Sequence, residues 1–360
     1  MGLPLLDSGF ARKLDQIMAV DLGSRTTKAV WLQRRGQGLT LCGFALLDAP
    51  IYEKTMPRDL LSEHLKAVKQ ALQTKAKHVA LTMSNNNAPV RHADLPRMSI
   101  PDMRLMLKLN SKTYLQQDLS GHVFDCHLSA KPAQAPKGAE EGKQPASGLQ
   151  KQKVLVAAAR AQLIDDFVAG AKGAGLIAAS ITPTLICPVN CFERVMPEVF
   201  AKESVALVDV GFKTSSICIL MEGELVLSRV VAIGGDKLTG SLAEILNISY
   251  AEAESIKIGM PAEVQSHLDA LILPLGREFR ASIDFFEHQH DRTISQVFIT
   301  GGSARSEVSL RALQQELMVE CKVLDPTSFL EKQLPPQQMS ELNAVAPQLT
   351  VALGAGITCL

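Results

Sequence analysis

The sequence predicts an α/β protein of two related halves, the first carrying a small α+β insertion. Three observations predict it. An apolar run that meets Asp-x-Gly, turns through small polar residues and resumes as an apolar run occurs twice, at residues 17–31 and 205–220. Each copy is followed by strand-like runs alternating with segments of helical periodicity. Between the copies lies a stretch, 131–150, rich in Pro, Ala, Gly, Lys and Glu and without apolar periodicity.

Residues 17–31 read as a β-hairpin with an exposed polar tip. Residues 39–46 supply a third strand, and 59–72 a helix with Leu60, Leu61, Leu65, Val68 and Leu72 at helical spacing. Residues 78–83 return as a strand, so the order β-β-β-α-β forms the first half of a mixed sheet with helical cover. Asn85, Asn86 and Asn87 break the pattern. A helix over 100–114 follows, opened by Pro101 and Asp102. Its Met103 and Met106, with Met98 before them, offer a soft partner surface or, more commonly at this spacing, core filling. Strands at 124–128 and 154–159 flank residues 131–150, which read as a loop mobile in its middle on which no core depends. A helix at 161–172, ending near Gly173 and Gly175, and a strand at 176–181 complete the insertion, assigned to 85–183 and set apart from the main sheet.

After a return segment at 184–204, the second half repeats the first. Residues 205–220 form the hairpin and 224–231 a strand, and Ile233-Gly234-Gly235 turns into a helix through Leu246. Such a glycine pair admits a ligand to free helix amides or is merely a turn. Residues 249–258 are helical and place Glu254 and Lys257 on one face, the ordinary reading being a surface ion pair. A long helical region at 263–288 is expected to break or kink near Pro274 and Gly276. A strand at 296–300 runs into Gly301-Gly302-Ser303-Ala304-Arg305, then a helix at 307–317 and a strand at 321–324. The second half spans 205–340, and 341–360 close the chain with a helix rich in small residues returning to the first half.

Of 360 residues, 46% are hydrophobic and 21% charged, enough for a large core and more than one domain. Lys and Arg number 37, as do Asp and Glu, so bulk charge favours no nucleic-acid partner. The seven Cys are scattered without a Cys-x-x-Cys pair, as expected in a reducing compartment. The start of the chain lacks a secretory pattern and no apolar run is long enough for a bilayer. These features predict a soluble cytoplasmic protein.

The chemistry points to the hairpin tips. Glycine lets the backbone approach a ligand, while turn amides, hydroxyls and a lysine can donate to phosphate oxygens. The carboxylates Asp21 and Asp209 would repel bare phosphate, which calls for Mg²⁺ between acid and nucleotide, through water. One Asp-x-Gly turn is common in ordinary proteins, whereas two in matching context favour the functional reading. Asp118, His122, Asp125 and His127 lack a convincing third metal ligand, and Cys187 and Cys191 suit a buried helix start and have no identifiable activating base. No Gly-x-Gly-x-x-Gly opens a strand-to-helix crossover, so the dinucleotide fold is excluded.

The ordered set Asp21-Leu22-Gly23-Ser24, Asp209-Val210-Gly211, Ile233-Gly234-Gly235, Glu254-x-x-Lys257 and Gly301-Gly302-Ser303-Ala304-Arg305 resembles the nucleotide-binding pattern of the actin, heat-shock-70 and sugar-kinase superfamily. Within it, Gly234 to Thr239 followed by Leu246 to Glu254 resembles the type IV pilus assembly family PilM and its cell-division relative FtsA. The resemblance covers essentially the whole chain. It implies actin-like, duplicated ribonuclease-H-like domains binding ATP and Mg²⁺. By motif, Gly23, Ser24, Arg25, Thr26, Thr27 and Lys28 form the first phosphate loop, with Asp21 near Mg²⁺, as Asp209 is in the second half. Gly211, Lys213, Thr214 and Ser215 form the second loop, joined by Gly234, Gly235 and Lys237. Glu254 and Lys257 approach the ribose or base, and Gly301, Gly302, Ser303 and Arg305 frame the adenine. Arg25 and Lys213 depart from the family by adding positive charge at the loops. The resemblance further implies a cytoplasmic scaffold at the inner face of the inner membrane that captures a membrane protein's short cytoplasmic tail beside the inserted domain. It also admits an assembly-motor ATPase and a second copy of the chain as partners. A polymerising division scaffold and a small-molecule kinase or ATPase are the competing readings. No catalytic residue is identified beyond the loops, so slow or absent hydrolysis is expected.

Overall fold

The computed structural model describes residues 5–7, 13–129 and 151–360; the expected mobile loop at 131–150 and most of the opening stretch lie outside the described residues. The first half runs β1 (Leu6–Asp7), β2 (Gln16–Leu22), β3 (Thr26–Arg35), β4 (Gly38–Asp48), α1 (Arg58–Ala71) and β5 (His78–Met83). The insertion holds β6 (Val90–Pro96), α2 (Ile100–Leu115), β7 (His122–Leu128) and β8 (Lys151–Arg160). The chain continues through α3 (Ala161–Gly173), β9 (Ile177–Pro183), α4 (Cys187–Val195) and α5 (Pro197–Lys202). The second half comprises β10 (Ser204–Val210), β11 (Ser215–Met221), β12 (Glu224–Val231), α6 (Gly235–Leu246), α7 (Tyr250–Gly259), α8 (Gln265–His290), β13 (Gln296–Thr300), α9 (Glu307–Leu317) and β14 (Cys321–Val323). The closing elements are β15 (Glu331–Lys332), α10 (Pro336–Val345) and α11 (Thr350–Ile357).

Three sheets result. The first has the order β1-β9-β5-β2-β3-β4-β15, the second β12-β11-β10-β13-β14, and the third β6-β8-β7. Within the first, β4-β3-β2 is an antiparallel meander whose inner strand pairs in parallel with β5, and β5 in parallel with β9. In the second, β12-β11-β10 is the same meander, followed by parallel β13 and β14. The repeated sequence device therefore sits at the same place in two like-ordered sheets.

The central strands are apolar on both faces because both faces are covered. On β2, Met18 and Val20 join the layer that includes Leu61, Leu65 and Val68 of α1, while Ile17 and Ala19 join the layer under α11. Small residues in α11 allow that closeness: a Cβ on Gly356 would stand 2.9 Å from Ala19 Cβ, and one on Gly354 would collide with the Cys187 carbonyl at 1.8 Å. Cys187 and Cys191 are buried in α4, as a buried helix start requires. The second sheet packs on α8 through Ile272, Leu275, Phe279, Ile283 and Phe286.

Three local expectations change. The strand at 177–183, expected with the insertion, lies in the main sheet between β1 and β5, because parallel pairing is non-local and leaves no local mark. The insertion's sheet contains β6, unrecognised because Arg91, His92 and Asp94 are exposed while Ala93 and Leu95 face inward and Pro96 ends it. Helix α8 runs unbroken from Gln265 to His290 through Pro274. Pro274 is exposed while Ile272, Leu275 and Phe279 on either side are buried, so water can satisfy the freed carbonyl and the packed face holds the helix.

Candidate functional site

Each hairpin delivers an acid to the end of its sheet's central strand. Asp21 lies opposite Lys28 in the register of β2 and β3, and Asp209 opposite Ser216 in that of β10 and β11. A threonine near the end of the neighbouring parallel strand fixes each carboxylate: Thr82, one residue before the last of β5, donates to Asp21 Oδ1 at 3.2 Å, and Thr300, the last of β13, to Asp209 Oδ1 at 2.9 Å. Neither threonine was picked out from the sequence. The trace was available, since β5 carries V-A-L-T before its last residue and β13 ends on V-F-I-T, a second repeat accompanying the first.

The charges around the acids differ. Lys28 Nζ stands 3.1 Å from Asp21 Oδ2, with side-chain exposures of 19% and 7%. Burial would lower the Lys28 ammonium, but the charge and hydrogen bond of Asp21, with the charge of Asp209, raise it. Asp209 keeps a little exposed surface; burial pushes its carboxyl up, opposed by the Thr300 bond and Lys28 and reinforced by Asp21. The two acids and Lys28 thus form one electrostatic unit across the halves.

The tips are shaped by main-chain crowding. A Cβ on Gly23 would lie 2.5 Å from Thr26 O and 2.7 Å from Lys28 Nζ, and one on Gly211 2.7 Å from Thr214 O. Gly301 has φ +92°, and a Cβ there would meet Val210 O at 2.5 Å and Asp209 Oδ1 at 2.8 Å, so only glycine fits over this acid. Not every predicted phosphate donor is free. Thr27 is buried with its hydroxyl 2.8 Å from His64 Nε2, and Ser215 donates to Ile233 O at 2.7 Å. At the head of α6, where the glycine pair was open to a ligand or to a turn, the amides of Gly235 and Asp236 donate to Gly211 O at 3.0 Å and Phe212 O at 2.9 Å. The glycine pair serves this docking: a Cβ on Gly234 would strike Phe212 O at 2.3 Å.

Around the tips lies a polar ring. Arg25 Nη1 is 2.6 Å from Glu254 Oε1 and its guanidinium lies 5.2 Å from the Phe212 ring centroid. Lys213 pairs with Asp236 at 2.6 Å, and Tyr250 donates to the same carboxylate at 2.9 Å. Lys257 reaches Glu254 Oε2 at 2.6 Å, Thr239 Oγ1 at 2.5 Å and Gly235 O at 3.3 Å, while Thr239 also donates to Glu254. Burial would raise the Glu254 carboxyl, but the bonds from Lys257 and Thr239 and the charges of Lys257 and Arg25 hold it below the usual range. Ser24 and Lys237 are exposed, Thr26 and Thr214 half-buried, and Ser303 borders Gly235 beside exposed Gly302. The Arg305 side chain lies outside the described residues. His64, Phe212, Asp236, Thr239 and Tyr250 join the site without having been predicted.

Among the described residues no group of three or more His, Cys, Asp or Glu could grip a metal. A water-shelled Mg²⁺ carried by nucleotide phosphates would fit this donor set better near Asp209, which Lys28 reaches by charge alone, than near Asp21, to which Lys28 is bonded.

The model of the family described as "Type IV pilus assembly protein PilM" matches residues 141–358. The chain is similar to a solved structure described as a PilM-PilN type IV pilus biogenesis complex, at 19% identity and a TM-score of 0.79 over 97% of this chain and 99% of that one. It is also similar to the ethanolamine utilization protein EutJ of Carboxydothermus hydrogenoformans, at 14% identity and a TM-score of 0.54 over 98% and 93%.

Proposed function

The chain belongs to the type IV pilus assembly protein PilM family, in the actin-like ATPase superfamily, and from that premise we propose that it is an ATP- and Mg²⁺-binding scaffold of a pilus or secretion platform. It works in the cytoplasm at the inner face of the inner membrane, holding the short cytoplasmic tail of a membrane protein. Its halves are two ribonuclease-H-like domains, divided near residues 184–204, with the α2-bearing insertion as the docking unit. The observation that carries the reading is the pair of Asp-x-Gly hairpins, each with its acid held by a threonine of the neighbouring parallel strand, within a family match covering most of the chain. The phosphates would sit at Gly23 to Arg25 and Gly211 to Thr214, with Mg²⁺ at Asp209 and the nucleoside between Glu254, Lys257 and Gly302–Ser303.

Turnover is slow in this reading. Cys187 lies close enough to both acids to feel their charges, and burial and those charges keep its thiol protonated, so it supplies no base for water. Of the sequence's provisional tail contacts, Met98, Met103, Met106 and Leu109, exposure favours the leucine. Met103 is fully buried and Met98 and Met106 half-buried, whereas Leu105 and Leu109 are 58% and 71% exposed, one turn apart on α2. An apolar ridge opposite the buried face of a helix suits an apolar segment of a partner.

Titration of nucleotide-free protein with Mg²⁺·ATP in a calorimeter tests the cleft, and binding is expected. Affinity for tail peptides, measured with apo, ADP- and ATP-loaded protein alongside phosphate release, tests the scaffold. Rapid turnover without peptide would favour an enzyme instead.

A further inference from the structure

Arg25 stands at the tip of the first hairpin, yet its side chain leaves its own half. Its carbonyl oxygen accepts from Ala49 N at 2.9 Å, so the first half fixes the main chain. The guanidinium crosses to Glu254 of α7 and lies over Phe212 of the second hairpin. Glu254 is a built partner: its side chain is 13% exposed, and Lys257 and Thr239 hold Oε2, which leaves Oε1 aimed at Arg25. Lys257 and Thr239 are in turn tied to Gly235 O, at the head of the helix on which the second hairpin docks.

We propose that Arg25 is a strap across the nucleotide cleft, holding the halves together by pairing with Glu254 and yielding that partner when a nucleotide enters. The inference rests on the nucleotide reading of the cleft. The Arg25 side chain is 43% exposed, and a pair with one solvated member is weak enough to exchange. A di- or triphosphate offers the planar guanidinium several anionic oxygens in place of one carboxylate oxygen. Released Glu254 then has Oε1 available to a ribose hydroxyl. Phosphate charge thereby decides entry: a nucleoside must displace the strap without offering it another anion, whereas a nucleotide supplies the replacement.

Hydrogen exchange of the nucleotide-free full chain tests the strap directly. Arg25→Gln should speed amide exchange several-fold in α7 and at 211–214, Glu254→Gln should do the same, and the double variant should add little to either. Unchanged exchange in both single variants overturns the strap. Calorimetry adds the entry step. Arg25→Gln should bind adenosine several-fold more tightly than the natural chain and ATP no more tightly, while equal adenosine affinities overturn the gating role. If the natural chain binds neither ATP nor adenosine, the nucleotide reading falls, and the exchange data still uphold or overturn the strap.

Discussion

At the end of β2, Asp21 faces Lys28 across its hairpin; at the end of β10, the corresponding Asp209 faces Ser216. The tips are also anchored differently. A side chain braces the first, His64 meeting Thr27, whereas main chain braces the second, Gly211 and Phe212 accepting from the amides of α6. One backbone device copied into two sheets thus carries a neutralised acid on one side and an acid with raised proton affinity on the other. A duplicated site is not a symmetric one. Lys28 is bonded to Asp21 and acts on Asp209 by charge alone, so in the proposed nucleotide reading added positive charge would be drawn more to Asp209 than to Asp21.

The comparison breaks most visibly if Lys28 is removed. Lys28→Met strands the Asp21 carboxylate, 7% exposed, beside Asp209. Leaving one member of a buried pair uncompensated costs about 3–5 kcal/mol, read as a lower urea midpoint at unchanged slope. A loss below about 1 kcal/mol would place the pair in the class of solvated surface contacts. The linkage has a definite sign. With its folded pKa raised, Lys28 contributes stability that is fully present below its unfolded value and is lost as pH rises through the folded one.

The anchoring difference sharpens next. Gly234→Ala drives a Cβ to 2.3 Å from Phe212 O and 2.7 Å from Gly211 O, both main-chain atoms that cannot swing away. A cost of about 1–3 kcal/mol follows from overpacking, with faster amide exchange at 211–214. Its neighbour is the control. A Cβ on Gly235 has Ser303 Oγ nearest, at 3.6 Å, and alanine is the better helix former, so Gly235→Ala should leave stability nearly unchanged. Equal losses in the two variants would remove the docking explanation for the glycine pair.

The sequence carried the hairpins because strand alternation, acid and glycine are all local. It carried the superfamily because five motifs occur in order, and the family through Gly234 to Thr239 followed by Leu246 to Glu254. What it could not carry depends on partners far along the chain. Thr82 and Thr300 are ordinary strand threonines until parallel pairing sets them beside Asp21 and Asp209. Thr27 and Ser215 read as phosphate donors, yet the pleat turns both hydroxyls inward, to His64 and to Ile233 O. A period of two separates the faces of a strand without saying which one meets the ligand. Arg25 looked like extra charge at a phosphate loop, and its partner lies 229 positions away.

The smallest effect comes from the second acid, where removing the charge should stabilise the fold and not weaken it. Burial raises the Asp209 carboxyl, so the folded chain holds this proton more tightly than the unfolded one. Between the unfolded and folded values the unfolded state binds fewer protons, and stability falls as pH rises through that window and stays lower above it. Asp209→Asn cannot ionise, while its Oδ1 still accepts from Thr300, so the variant should melt higher than the natural chain near neutral pH by a margin smaller than either loss above. At about pH 3, where both forms are uncharged, the difference should vanish. Asp21→Asn run beside it should lower the melting temperature near neutral pH, because it strands Lys28. If both asparagine variants shift stability the same way, Lys28 does not discriminate between the acids. If only the Asp209 variant also loses the Mg²⁺ dependence of ATP binding, the charge left unpaired in the second hairpin is the one the cation uses.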